Sequence, residues 1–118
     1  MTYIKINDTL YPATIAGRIS DSEWDKRESK AITLEMDYDT AMETFVDGAA
    51  WSIVQDIEEA SMDDAGNIVT TVIGQDEFDN SDFCVAGDVT DHRDGTVTVK
   101  MGKLTELEEA YIMILGGI

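Results

Sequence analysis

Apolar residues recur along this chain mostly at every second position, and the rhythm changes to helical spacing twice. Ile32, Leu34, Met36 and Tyr38 alternate with Thr33, Glu35 and Asp37, the period of a strand with one dry face and one wet face. Thr40 and Glu43 then stand at capping-box spacing. Ala41, Met42, Phe45 and Val46 follow at helical spacing, so a short helix is expected to bury one side. Gly48 is placed to end it, because glycine takes the left-handed conformation past a helix without a Cβ penalty. Trp51, Ile53 and Ile57 return to even steps, with Gln55 on their face and Val54 on the wetter one. This strand–helix–strand stretch, residues 31–58, is expected to organise the core, with Leu34, Phe45 and Trp51 in it.

The remainder reads as short strands joined by turns. Ile4 and Ile6 share a face of a strand over Tyr3–Ile6, and Asn7-Asp8 marks a hairpin turn into Leu10–Ile19. Pro12 cannot donate to a ladder and puts that strand at an edge or a bulge. Asp21–Lys30 is polar and is expected to be a loop or one helical turn around Trp24. Met62–Asn67 is a turn, Ile68–Ile73 a β-branched strand, and Gly74–Ser81 an acidic loop. Phe83, Val85 and Val89 face one way in the next strand, with Cys84 and Ala86 behind them. Asp91–Gly95 is a hairpin turn with Gly95 at positive φ. Val97, Val99 and Met101 then point inward from the clearest strand of all. A second capping box, Thr105 and Glu108, opens a last helix. Leu104, Leu107, Tyr111 and Ile114 form its stripe, and Ala110, Ile112, Met113 and Leu115 carry apolar surface almost around the cylinder. Such a helix must be covered on all sides, by its own chain or by another molecule. Gly116-Gly117-Ile118 reads as a frayed end.

The pattern predicts an α+β fold: a mainly antiparallel sheet or partial barrel of about seven strands, a short helix after strand 3 and a C-terminal helix. A length of 118 residues predicts one domain over 1–118, large enough for a core without disulfides. The hydrophobic fraction of 43% is too high for a disordered acidic tail. Net charge is −17, from 25 acidic and 8 basic residues. That excess opposes direct contact with nucleic-acid backbone or anionic lipid and permits a basic partner or a charge mimic. A lone cysteine excludes an internal disulfide framework and fits a reducing compartment. No signal-peptide core or bilayer-length apolar run is present.

Catalytic chemistry finds little to work with. Cys84 and His92 are the only nucleophile–base pair. Eight residues apart in one strand, their backbones would stand about 26 Å from each other. The acidic clusters Asp63, Asp64, Asn67 and Asp76, Glu77, Asp79, Asp82 have the oxygens that calcium takes, yet not the ligand order of an EF-hand. Glu106 and Glu109 sit in a first helical turn, where carboxylates serve the helix dipole. No phosphate-binding glycine pattern occurs, and one Cys with one His cannot build a zinc site. The expectation is a non-enzymatic protein with no catalytic residue, no metal and no cofactor. Its contact surface is expected at Tyr111, Ile112, Met113 and Leu115, with Trp24 as a further candidate anchor.

Two stretches carry a resemblance. Phe45-Val46-Asp47-Gly48-Ala49-Ala50-Trp51-Ser52-Ile53-Val54 and the run from Asp79 to Lys103, including Asp82-Phe83-Cys84-Val85-Ala86-Gly87-Asp88 and Asp94-Gly95-Thr96-Val97-Thr98-Val99, resemble small uncharacterised proteins encoded in tailed phages and prophages of gut bacteria. The resemblance implies a phage gene product, encoded near tail genes, in the bacterial host's cytoplasm and the virion. It transfers no functional residue. The expected function is therefore a virion or tail-assembly component. It would act by self-association or contact with other proteins, without direct nucleic-acid or membrane binding. The alternative is an acidic DNA mimic that inhibits a host nucleic-acid-binding protein.

Overall fold

A computed structural model describes residues 1–116. Seven strands and two helices follow in the order β1 (Thr2–Ile6), β2 (Thr9–Asp21), β3 (Arg27–Glu35), α1 (Tyr38–Thr44), β4 (Trp51–Met62), β5 (Ile68–Asp79), β6 (Val85–Asp91), β7 (Thr96–Gly102) and α2 (Glu106–Gly116). All pairings are antiparallel, in the spatial order β5-β4-β1-β2-β3-β7-β6. The strand number and both helix positions match expectation. The class does not: with helices of 7 and 11 residues, the chain is mostly β rather than α+β, and the sheet is not closed.

β2 is the corner of the molecule. Residues Thr9–Pro12 pair with β1, whereas Ala13–Asp21 pair with β3 on the other side. Pro12 stands at the change of partner, where its missing N–H costs nothing and the strand can pass from one sheet half to the other. One half is β5-β4-β1 with the start of β2, the other the end of β2 with β3-β7-β6. Register puts Ile4 across from Ile53, Ile6 from Trp51, Ile32 from Val99 and Leu34 from Val97. These side chains share the inner face; all but the half-buried Ile53, which packs against them, form the buried core with Ala41, Phe45, Phe83 and Met101. Leu34, Phe45 and Trp51 are thus in it, as the alternation predicts.

The two ends of the strand order, β5 and β6, are joined by the segment 80–84, which crosses the open side of the curl. Phe83 from this segment packs edge-on to Trp51, with ring centroids 6.3 Å apart. Trp51 Nε1 donates to the Phe83 carbonyl at 2.9 Å, and the Asn80 amide donates to the Trp51 carbonyl at 2.9 Å. An indole N–H inside a core needs a partner, and here it also ties the crossing segment down.

Several local expectations are corrected. α1 is capped by Asp37, whose carboxylate accepts from the Thr40 amide at 2.7 Å; Thr40 lies inside the helix. The helix ends at Thr44, and Gly48 (φ 82°) serves the turn beyond it. Val54 is buried on the opposite face, across from Tyr3. Residues 27–30 begin β3, and 74–79 continue β5 rather than forming an acidic loop.

Asp21, at the end of β2, is fully buried and accepts from the Lys100 ammonium at 2.8 Å, the Ser29 hydroxyl at 3.1 Å and the Glu23 amide at 3.1 Å. The Lys100 ammonium above all holds its carboxyl down to about 2. The Arg27 guanidinium does the same for Glu108, also to about 2. Both pKa values are lower in the folded chain than in the unfolded one, where carboxyls titrate near 4. The unfolded state therefore binds more protons in acid, and these contributions, complete above about pH 5, disappear as pH falls towards 2. Thermal midpoints measured against pH are expected to fall over that interval, and to fall less steeply for Asp21→Asn. Parallel losses in both proteins would contradict the assignment.

Candidate functional site

Two elements leave the body. The first is the β4–β5 hairpin. β4 is flanked by β1 only as far as Gln55, and the Asp56 amide donates to the Met1 carbonyl at 3.0 Å. Beyond that point β4 and β5 pair only with each other, up to Met62 across from Ile68. A bulge between Ile57 and Glu58 leaves Ile73 as the extra residue on β5 and turns the arm. The described chain accordingly measures 67 × 34 × 28 Å.

The arm's surface combines two features that rarely suit water together. Ile57, Met62, Ile68, Val69, Val72, Ile73 and Phe78 are all exposed. The stretch from Trp51 to Asp79 also carries eight carboxylates and no Lys, Arg or His. Six of the eight cationic side chains, Arg18, Lys26, Arg27, Lys30, Lys100 and Lys103, lie instead around the far ends of β2, β3 and β7. Isolated two-stranded hairpins are at best marginally stable in water, so this arm gains most from being covered.

The second element is α2. Thr105 and Glu108 form the expected capping box: the Thr105 amide donates to Glu108 Oε1 at 2.9 Å, and the Glu108 amide donates to Thr105 Oγ1 at 3.2 Å. Glu108 also binds Arg27, whose Nη1 donates to Oε1 at 2.7 Å and to the Lys103 carbonyl at 2.9 Å. Past this tether, Tyr111, Ile112, Met113 and Leu115 are 53–76% exposed, and Leu107 and Ile114 are exposed too. The four anchors expected from sequence therefore stand on an uncovered surface. Residues 117 and 118 lie outside the described residues.

Trp24 is placed differently. Its ring is half-buried with the Arg27 guanidinium 4.8 Å from its centre. The outer end of its six-membered ring comes up to β6 and β7 at two glycines. A Cβ on Gly87 would come within 2.7 Å of the ring, and one on Gly102 within 2.8 Å of it and 2.6 Å of Arg27 Cδ. Trp24 is a lid over its own chain, and it does not join the α2 surface.

Sequence candidates for chemistry are dispersed. Cys84 lies in the crossing segment beside Phe83, its carbonyl accepting from the Gly48 amide, while His92 sits past the end of β6 and bonds Thr98 Oγ1 at 2.7 Å. Asp63 caps its own turn, accepting from the amides of Ala65 and Asn67. Asp79 binds Ser81, and Glu77 pairs with Lys5 at 3.1 Å. Among the described residues no group of three or more His, Cys, Asp or Glu side chains could hold a metal ion. A trough of about 890 Å³ opens near Met1 between Ala13, Ile15, Leu34 and Ile53. Its lining has one acidic residue, Glu35, and one lysine, Lys30; burial lowers the Lys30 pKa, and its ammonium is bonded to Asn80 and seated 4.4 Å from the Phe83 ring centre. No described helix is long and apolar enough to cross a membrane.

What sequence reading missed is the arm. Its outer half alternates weakly because both faces are wet, and the only signal was the β-branched run 68–73. No protein-family profile matches the chain, and no curated protein or solved structure matches it significantly.

Proposed function

We propose that this chain is a structural component of a tailed-phage or prophage particle, of the tail or its assembly, working by contact with other protein subunits, copies of itself included. The phage context rests on the resemblance of residues 45–54 and 79–103. The contact role rests on one observation: exposed large apolar side chains gather on two projecting elements, the β4–β5 hairpin and α2, while those exposed elsewhere, such as Leu10, Ile19, Met42 and Val46, are scattered over the body. Apolar patches of this kind mark association surfaces. Fully burying each such side chain is worth about 1.5–3 kcal/mol.

Mimicry of DNA draws less support. A 12-residue strand spans roughly 40 Å, along which DNA would carry about two dozen charges. The arm carries eight, and Asp56, Asp63 and Asp79 are already bonded to their own chain.

The contact role is tested with Ile112→Glu/Met113→Glu. Light scattering is expected to show concentration-dependent mass for the natural chain and at least a tenfold weaker association for the variant, with unchanged circular dichroism. A natural chain that stays monomeric at the highest soluble concentration, alone and with the proteins of its own particle, would overturn it.

A further inference from the structure

The β5 strand closes one end of the sheet order, so its outer edge is open. Its first six residues are Ile68-Val69-Thr70-Thr71-Val72-Ile73. All are β-branched, uncharged and exposed, the four aliphatic ones by 40–77%. An edge of this kind can accept a further strand. The opposite edge of the sheet is blunted: β6 carries Asp88 and Asp91 and a register shift between Ala86 and Val89, both devices that discourage pairing.

Charge selects the strand that can be added. Register sets Glu58 across from Val72 and Glu59 across from Thr71. Cross-strand partners share a face, so one carboxylate stands behind the run on each face of the hairpin. Asp64 precedes the run in the hairpin turn, and Asp76 follows it on β5 itself. All four acids are exposed. Glu58 has the N-terminal ammonium 3.6 Å away, but no Lys, Arg or His between Trp51 and Asp79 offsets the others. A second arm would bring the same eight carboxylates against them and be repelled. A strand with cationic ends instead meets opposite charge at both ends of the run and apolar surface between them.

We propose that the β5 edge of the arm docks an extended segment of a basic protein partner, a strand with a β-branched or apolar centre and Lys or Arg at both ends. This assignment rests on the contact role proposed above and names one of its surfaces and the chemistry of its occupant. Main-chain pairing supplies the affinity, and the flanking charges supply the choice of partner. The run is roughly 20 Å long, so a segment of about eight to ten residues spans it and brings its charged ends to Asp64 and Asp76. Opposite charges at an exposed edge attract less as salt rises. Association of copies through α2 goes the other way, because it brings like-charged chains together.

The test uses the full chain and a fluorescent, end-blocked peptide with a Val-Thr-Val-Thr-Val-Thr centre and a lysine pair at each end, followed by anisotropy. The natural chain should bind it roughly tenfold more tightly than the same peptide ending in glutamates, and more weakly at about 0.5 M NaCl than at low salt. N-methylation of every central residue keeps the charges, removes the ladder donors and should abolish binding. Asp64→Lys/Asp76→Lys should weaken the lysine-ended peptide roughly tenfold and strengthen the glutamate-ended one, opposite shifts that loss of the arm could not produce. A natural chain that binds neither peptide would overturn the site. So would undiminished binding of the N-methylated peptide, or shifts of the same sign in the variant. Self-association that persists in any of these cases, and is lost in Ile112→Glu/Met113→Glu, leaves the contact role standing on α2.

Discussion

Trp51→Ala is expected to leave the chain unfolded or nearly so at 37 °C. Trp51 is 2% exposed and holds the crossing segment through its bond to the Phe83 carbonyl and its contact with the Phe83 ring. Truncating a buried tryptophan costs about 3–5 kcal/mol, and the Phe83 carbonyl loses its donor at a further cost of about 1–3 kcal/mol. Domains of this size hold about 5–15 kcal/mol in total, and this one is further weakened by self-repulsion from its net charge of −17. Trp51→Phe separates the two contributions: it keeps most of the packing, loses the hydrogen bond, and should remain folded with a lowered midpoint. Chemical denaturation followed by circular dichroism measures both. A Trp51→Ala protein within 1 kcal/mol of the natural chain, a threshold set below the smallest truncation cost, would show that the crossing segment does not seal the core.

Arg27→Ala is expected to cost about 1–3 kcal/mol, the range for buried hydrogen-bonding groups left without a partner, and to loosen α2 from the body. Arg27 is 6% exposed and forms a bidentate pair with Glu108, a bond to the Lys103 carbonyl and a stacked contact with Trp24. The guanidinium is buried but the Glu108 side chain is 41% exposed, so solvent screens the ion pair and the cost comes mainly from the lost hydrogen bonds. Lysine should rescue little, because it cannot grip both carboxylate oxygens in one plane. The pair is the tether at the base of α2, so amide exchange over residues 106–115 should accelerate more than exchange in β3 or β7. Uniform acceleration across the chain would mean that Arg27 supports the core and has no special hold on the helix.

How much of this was legible beforehand depended on whether a segment has a dry side. Ile32 with Leu34, and Val97 with Val99 and Met101, announce their strands because each second residue is buried. The capping box at Thr105 and Glu108 is likewise a local signal, and the structure reproduces it bond for bond. The arm was only half legible. Gly74-Gln75-Asp76-Glu77 has no alternation because neither of its faces meets the core, so it reads as loop; its strand geometry comes from pairing with β4, a long-range fact. Asp37 displaced Thr40 as the cap of α1 because its carboxylate reaches the Thr40 amide first, and two competing caps three residues apart look alike in sequence. Trp24 was readable as lid or anchor. Only the approach of Gly87 and Gly102 decides, since no side chain there stands between the ring and the sheet.

The account stands on the claim that the exposed apolar surfaces of the arm and α2 are contact surfaces. Sedimentation equilibrium of the natural chain over a wide range of concentration tests it most directly. The predicted result is a mass that climbs above 13.0 kDa as concentration rises, more steeply in high salt. A mass fixed at the single-chain value across the whole range, in low and high salt alike, would contradict it for copies of this chain.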